Sequence, residues 1–399
     1  MQVLCQLSYS PRCGRHSISG QAQSTPGLRW LRRAHGRADA PVMDAVTASP
    51  AVTRERVDDD LAAAWDDLAD RVDAVPFARP GWLLAWARAA GVRLEALAAR
   101  CGSRLAGVLP VVEQPWGLRT PADWHTPWLE AVAEDAAAQL ALAAALAATG
   151  LPRITVDFVL DGEPTAEAAT AALAAAGYRL APRARLESPF VAVSGPWEGY
   201  LATLSTHRRS ELRRRARRLD AAGVVSREVH REPHGLAARL EEAFAVEATG
   251  WKGTAGTAVA SDPGVAGFYR RMAAWAAERG WLRLAFLRLD GRPLAFDLAL
   301  EAGGRHFLLK TGYDPAYTSL SPGLLLRLHM LERAFASGLR SYEFCGAAEP
   351  WKLEWAPATR RVLAIEAFAP TAGGRLAEGS TRLARLARVA AGRLRKARP

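Results

Sequence analysis

Lysine is nearly missing from this sequence: four Lys stand against 48 Arg in 399 residues. Three of the four, Lys252, Lys310 and Lys352, fall in turn-rich stretches of the second half. A lysine is a compact, titratable point charge that arginine does not replace in proton transfer or in a tight pocket. These three are therefore candidate functional residues, with chance or packing as the alternative. Cysteine is almost as scarce. Cys5, Cys13, Cys101 and Cys345 form no CxxC pair, which argues against a disulfide framework and a zinc site; no metal is expected, and a reducing cytoplasm fits. Also lacking is any charge-free run of about 18 apolar residues, so no transmembrane helix is expected. Residues 1–42 hold no apolar stretch of the kind a signal peptide needs.

What is present is an excess of positive charge, and it is unevenly placed. The net charge is +11, of which residues 1–42 supply +5 and residues 371–399 supply +7, leaving 43–370 at −1. The basicity belongs to the two ends and is poor support for a fold that binds nucleic acid as a whole. Half of the residues are hydrophobic, as a globular chain requires, and the length suggests about two domains. Residues 1–42 are rich in Ser, Gly, Arg and Pro without periodicity. They read as a disordered arm or as a stretch ahead of a true start at Met43, the second being preferred. The divisions expected are an extension at 1–57, a first domain at 58–192, a second at 193–370 and a basic helical tail at 371–399.

From Asp58 the spacing is helical, with Leu61, Trp65 and Leu68 on one face and a second helix starting near Pro80. Leu94–Ala99 and Leu105–Val112 read as a hairpin. A loop with Trp116, Trp124, His125 and Trp128 could line a cleft or plug a domain interface. A helix at about 131–149, a strand at Ile154–Leu160 and a helix at about 165–176 follow. Past the Ser/Pro/Gly cluster at 188–197 comes HRRSELRRRARRLDAAG, in which Leu212, Ala216 and Leu219 make the buried stripe and the arginines between Arg208 and Arg218 the solvated face. That face is either a plain solvated surface or a site for a phosphate-rich partner.

The second half carries the clearer strand pattern. Leu282, Leu284 and Phe286 alternate, Asp290-Gly291 marks a hairpin turn, and Leu294 to Leu300 alternate again. A strand ending in Lys310 leads into a turn-rich loop at 311–320. Ser321-Pro322-Gly323 then opens a helix ending at Gly338, and a short strand, Ser341–Phe344, follows. Ser321 reads as the N-cap whose side chain takes an orphan amide, and Pro322 as the N1 residue. Such a start suits a phosphate or pyrophosphate, or is a well-capped helix and nothing more. A strand at Val362–Phe368 and a basic helix with Leu376, Leu383, Leu386, Val389 and Leu394 end the chain. That helix reads as a solvated extension or as a peripheral membrane contact.

The segments GWKGTAGTA, LLKTGYDPAYTSLSPGLLL and EPWKLEW resemble the GNAT acyltransferase superfamily. More narrowly they resemble its CelD-like branch, associated with cellulose and polysaccharide biosynthesis and related to the Fem-type aminoacyltransferases. The resemblance covers roughly residues 58–370. It implies an α/β (α+β) fold of tandem GNAT-like domains, each a mostly antiparallel mixed sheet flanked by helices, the first degenerate. It implies transfer of an acyl group, acetyl first among them, from acyl-CoA as cosubstrate to an amine or sugar acceptor, with no tightly bound cofactor. Lys310, Tyr313 and Asp314 become the catalytic candidates, Asp314 as base and Tyr313 as acid. Ser321, Gly323 and Leu324 would hold the donor's phosphates. Trp251, Lys252, Tyr317, Tyr342 and Lys352 would hold the acceptor. One departure stands out. The usual coenzyme A signature, Gln or Arg, two residues, Gly, one residue, Gly or Ala, is replaced by Thr318-Ser319-Leu320-Ser321-Pro322-Gly323. An acyl carrier protein or an aminoacyl-tRNA, met by the Arg208–Arg218 helix, is thus an alternative donor, and a binding-only protein is the alternative outside enzymes.

Overall fold

The computed structural model describes residues 50–250, 259–356 and 358–396, with side chains to residue 390. Trp251 and Lys252 lie outside the described residues. In chain order the strands are β1 (Ala51–Arg56), β2 (Glu95–Cys101), β3 (Arg104–Gln114), β4 (Gly117–Arg119), β5 (Val132–Ala133), β6 (Arg153–Leu160), β7 (Arg179–Ala192), β8 (Val225–His230), β9 (Leu282–Leu289), β10 (Arg292–Ala302), β11 (Arg305–Tyr313), β12 (Ser341–Glu343) and β13 (Ala358–Phe368). The helices are α1 (Asp59–Arg71), α2 (Pro80–Ala90), α3 (Ala136–Ala148), α4 (Pro164–Ala175), α5 (Trp197–Thr203), α6 (Thr206–Asp220), α7 (Leu236–Thr249), α8 (Pro263–Glu278), α9 (Pro322–Ala336), α10 (Pro350–Leu353) and α11 (Ala372–Lys396).

Local chemistry explains most boundaries. Asp58 accepts from Leu61 N at 2.9 Å and starts α1, whose buried face is Leu61, Trp65 and Leu68. Asp135 caps Ala138 N, so α3 begins at Ala136, later than the 131 expected from its apolar run. Asp290 and Gly291 both take positive φ, 49° and 80°, as the tight β9–β10 hairpin demands. Residues 51–56, expected to belong to an extension outside the fold, instead form edge strand β1 on β2.

Among the described residues the strands form one sheet ordered β1-β2-β3-β4-β6-β13-β7-β12-β11-β10-β9-β8, with β5 on β3. It holds two strand–helix–strand units, β6–α4–β7 and β11–α9–β12. β7 joins the halves, pairing with β13 along one edge and with β12 at residues 190–192 on the other. β13, the last strand of the chain, is antiparallel to both β6 and β7 and lies between them. An aromatic cluster ties the halves. Phe77 meets Trp82, Trp128 and Phe307 edge-on with centroids at 4.9, 5.5 and 5.0 Å, contacts each worth about 0.5–1.5 kcal/mol beyond the area they bury. Trp128 is thus core, while Trp116 and Trp124 are about half exposed.

Candidate functional site

β11 runs to Tyr313 but pairs with β12 only through 305–307 against 341–343, so the two parallel strands diverge. Two local features force this. On one side Leu309 is an extra residue opposite the Leu298/Ala299 step of β10, a bulge that bends β11. On the other, the chain leaves β12 through Cys345 (φ 47°) and Gly346 (φ 66°), both left-handed. Lys352 Nζ fastens this turn by donating to Cys345 O (2.7 Å) and Ala347 O (3.1 Å), and it pairs with Glu349 at 3.3 Å. Burial pushes the Lys352 ammonium below its ordinary pKa. The expectation that Lys352 holds an acceptor's anion does not fit, since an ammonium has three donors and these three contacts use them.

At the mouth of the gap stands the start of α9. Asp314 accepts from Ala316 N at 3.0 Å and from Arg292 at 2.8 Å, anchoring the turn Pro315–Leu320. Both of its carboxylate oxygens are therefore engaged, which suits a positioning group better than a base. Arg292 also lies over the Tyr317 ring at 5.1 Å, so Tyr317 serves the same turn. Ser321 corrects the capping expectation. It adopts a left-handed conformation (φ 56°, ψ 47°) and its side chain caps nothing, because in that conformation its hydroxyl is turned away from the helix; it accepts instead from Arg215 of α6. Gly323 and Leu324 lie in the first turn, where helix amides lack intrahelical acceptors, and among the described residues neither amide has a backbone acceptor. Tyr313 is 43% exposed and its ring lies 3.4 Å from where a Cβ on Gly323 would stand. Amide donors and the positive end of a helix dipole thus meet at the α9 start, an arrangement that suits an anion; Arg215 beside it is itself engaged, its Nε and Nη2 donating to Glu211 at 3.0 and 2.5 Å.

Beneath the gap lies a buried charge frame. Arg327 of α9 binds Asp297 of β10, with Nη2 at 2.6 Å from Oδ1, and reaches Thr311 Oγ1 (3.1 Å) and the Tyr342 hydroxyl (2.5 Å). Arg327 is 2% exposed, and Asp297 and Tyr342 are fully buried. Tyr342 stacks on His306 at 4.4 Å. Its expected contact with an acceptor is overturned by its burial, and Glu343, equally buried, pairs with Arg360.

On the other face of β11, Lys310 Nζ sits over the Tyr269 ring at 5.2 Å. The Tyr269 hydroxyl lies 3.1 Å from His125 Nδ1, while His125 Nε2 is shut off from solvent with no hydrogen-bond partner among the described residues. Burial pushes His125 below its ordinary pKa, and the nearby Lys310 charge adds to this. Gly312 lets the end of α7 close in, for a Cβ there would come 2.7 Å from Phe296 Cε1 and 3.2 Å from Glu247 Cα. Tyr269 and the Arg327–Asp297 pair were not among the sequence candidates, and His125 and Arg215 entered only as members of the Trp116–Trp128 loop and the Arg208–Arg218 helix. Of the α6 arginines, Arg208 pairs with Glu211 and Glu354, Arg209 bonds the carbonyls of the preceding turn, and Arg213, Arg214, Arg217 and Arg218 are exposed. Among the described residues no His, Cys, Asp or Glu group is arranged to hold a metal.

Residues 206–353 match the family model described as acetyltransferase (GNAT) domain. No curated protein sequence matches the chain. The solved structure of FemX is similar, with 12% identity and a TM-score of 0.53 over 79% of this chain and 96% of that one. So is L-PGS from Bacillus licheniformis, at 14% and 0.51 over 79% and 92%. A tandem GNAT protein from the clavulanic acid biosynthesis pathway aligns at 14% and 0.45 over 80% and 100%. The matched segment spans α6 to α10 and contains the diverging strands, the α9 start and the residues around them, so residues 206–353 are similar to an acetyltransferase (GNAT) domain.

Proposed function

We propose that the chain transfers an acyl group, acetyl in the first instance, from an acyl-coenzyme A to an amine carried on a saccharide. The observation that carries this reading is the α9 start, where the Gly323 and Leu324 amides lack backbone acceptors among the described residues, beside the gap between β11 and β12. The donor's phosphates bind there and its thioester runs into the gap. The neutral amine attacks the thioester carbonyl carbon, the C–N bond forms and the C–S bond breaks. Lys310 opposes the charge that develops on the carbonyl oxygen. Tyr313, exposed at the end of β11, gives a proton to the leaving thiolate and is restored by the proton that the attacking nitrogen releases. Asp314 acts by holding the turn that aims Tyr313. Half-exposed Trp124, next to His125, supplies a stacking surface for the acceptor sugar.

The test is thermal stabilisation by acetyl-coenzyme A. A ligand bound only by the folded state at a hundredfold excess over Kd stabilises by about 2.7 kcal/mol. A shift that Gly323→Asp abolishes, with the unliganded melting temperature unchanged, supports the reading. No shift with any acyl-coenzyme A overturns it. A second reading has its own observation: Arg213, Arg214, Arg217 and Arg218 extend exposed from the helix that delivers Arg215, as an aminoacyl-tRNA donor would require. Loss of stabilisation by thioesters together with salt-dependent RNA binding favours that donor.

A further inference from the structure

α11 is built the wrong way round for a helix on a soluble surface. Such helices turn an apolar stripe to the core and charges to water. Here the side that packs on β13 and β6 is small and polar. Gly374 and Ala377 are buried. Arg385 binds Glu366, which is 3% exposed and also meets Arg153 at 3.4 Å and Arg183 at 3.6 Å. Glu378 is taken by Arg179 and Arg382. With its polar side committed to this strip of charged strand residues, the helix turns its apolar side outward. Leu376, Leu383 and Leu386 are 64%, 68% and 67% exposed and Val389 55%. At 100° per residue the three leucines share one side of the helix.

We propose that α11 is a membrane-surface helix, its outward leucine stripe lying in the headgroup boundary of an anionic phospholipid bilayer. The charge around the stripe selects this occupant. Residues 371–399 hold seven Arg and one Lys against a single Glu, and that Glu378 is already paired within the molecule. Arg375 and Arg382 flank the stripe, and both are exposed, as is Arg388 further round the helix. A second copy laid against it would set these cations against their own kind, whereas an acidic lipid surface neutralises them. No helix among the described residues is long and apolar enough to cross a membrane, so the helix lies on the surface. The inference rests on α11 alone and is independent of the acyl donor.

The full chain is mixed with vesicles of phosphatidylcholine alone and with vesicles containing one third phosphatidylglycerol, and sedimented. Binding to the anionic vesicles, at least tenfold weaker to the neutral ones, is expected. It should fall at least tenfold in the Leu383→Glu, Leu386→Glu double variant, whose melting temperature should match the parent because both positions are exposed. Arg375→Gln with Arg388→Gln should weaken binding and flatten its salt dependence. No sedimentation with anionic vesicles, or unchanged sedimentation of the leucine double variant, overturns the proposal. Lipid-free self-association that the double variant abolishes also overturns it, assigning the stripe to a second copy.

Discussion

The two strand–helix–strand units of this sheet begin alike and end differently. In each, a strand leads into a helix opened by proline, Pro164 in α4 and Pro322 in α9, and the strand that follows runs parallel to the first. In the first unit the space between β6 and β7 is filled by β13, hydrogen-bonded on both edges. In the second, β11 and β12 touch for three residues and then part. The filled gap has both strand edges paired and carries its buried charges on the strands themselves, Asp157 with Arg185 and Glu366 with Arg153 and Arg183. An open gap leaves strand edges to be managed by other means, and there the buried Arg327–Asp297 pair, the Lys352 clamp and the left-handed Cys345 and Ser321 are found. The same unit thus serves as scaffold when plugged and as a site when held open.

The largest effect should come from the frame of the open gap. Arg327→Ala would leave Asp297, fully buried, without its partner, and breaking a buried pair in this way costs about 3–5 kcal/mol. Urea denaturation followed by fluorescence measures it. Replacing both members, Arg327→Met with Asp297→Leu, should regain most of that loss, since the penalty lies in the orphaned charge. If the double variant is as unstable as the single, the pair is itself a net source of stability and the frame does more than hold the gap.

A smaller effect is expected in the filled gap. Ile365 on β13 is 2% exposed, and Ile365→Ala should cost about 2–4 kcal/mol through lost burial and the cavity left behind. The stabilisation produced by saturating acetyl-coenzyme A should survive unchanged, because the donor meets only the open unit. Loss of that stabilisation in a variant that still folds would break the division between the halves.

How far these features could be read from the chain differs by element. The β9–β10–β11 meander and α9 were legible because their alternation is regular and Asp290-Gly291 and Pro322 punctuate it. β7, the strand that joins the halves, was not: RLAPRARLESPFVA has two prolines, three arginines and a glutamate, the composition of a half-exposed strand that tertiary pairing alone holds extended. β1 and β8 are hidden for the same reason. Within the site, Asp297 in LAFDLAL and Arg327 in LLLRLHML were each a lone charge in an apolar run, a signal that two buried charges must meet. No local pattern could bring His125 to Tyr269, 144 residues away. At Ser321 the rule for helix starts located the helix, but the left-handed backbone sent the hydroxyl to Arg215.

The smallest effect per residue, on the order of 1 kcal/mol for each histidine, concerns acid, and it too divides the halves. β6, α4, β7 and β13 contain no histidine. Around the open unit His306, His329 and His125 are each held below their ordinary pKa, chiefly by burial. His306 is faced by Glu301, Asp297, Arg327 and the Tyr342 ring. Because their folded values lie below the unfolded value of about 6.5, the unfolded chain takes up more protons as the pH falls past that point. Stability should therefore be level from pH 8 to 7 and decline below about 6.5, by up to about 1.4 kcal/mol per pH unit for each imidazole that stays neutral in the fold. Two carboxyls bound the window. Burial raises Glu301, but His306, Arg283 and Arg333 outweigh it and bring it to about 2, so its own loss sets in only as the pH falls to the ordinary glutamate range and continues below it. Glu130, pushed up by burial, acts in the opposite sense and offsets part of the decline. His306→Gln, which keeps a donor for Glu301 and cannot titrate, should flatten the profile measured by urea denaturation at pH 7.5, 6.5 and 5.5. An unchanged slope in that variant would place the acid sensitivity outside the open unit's core, in His125 or His329.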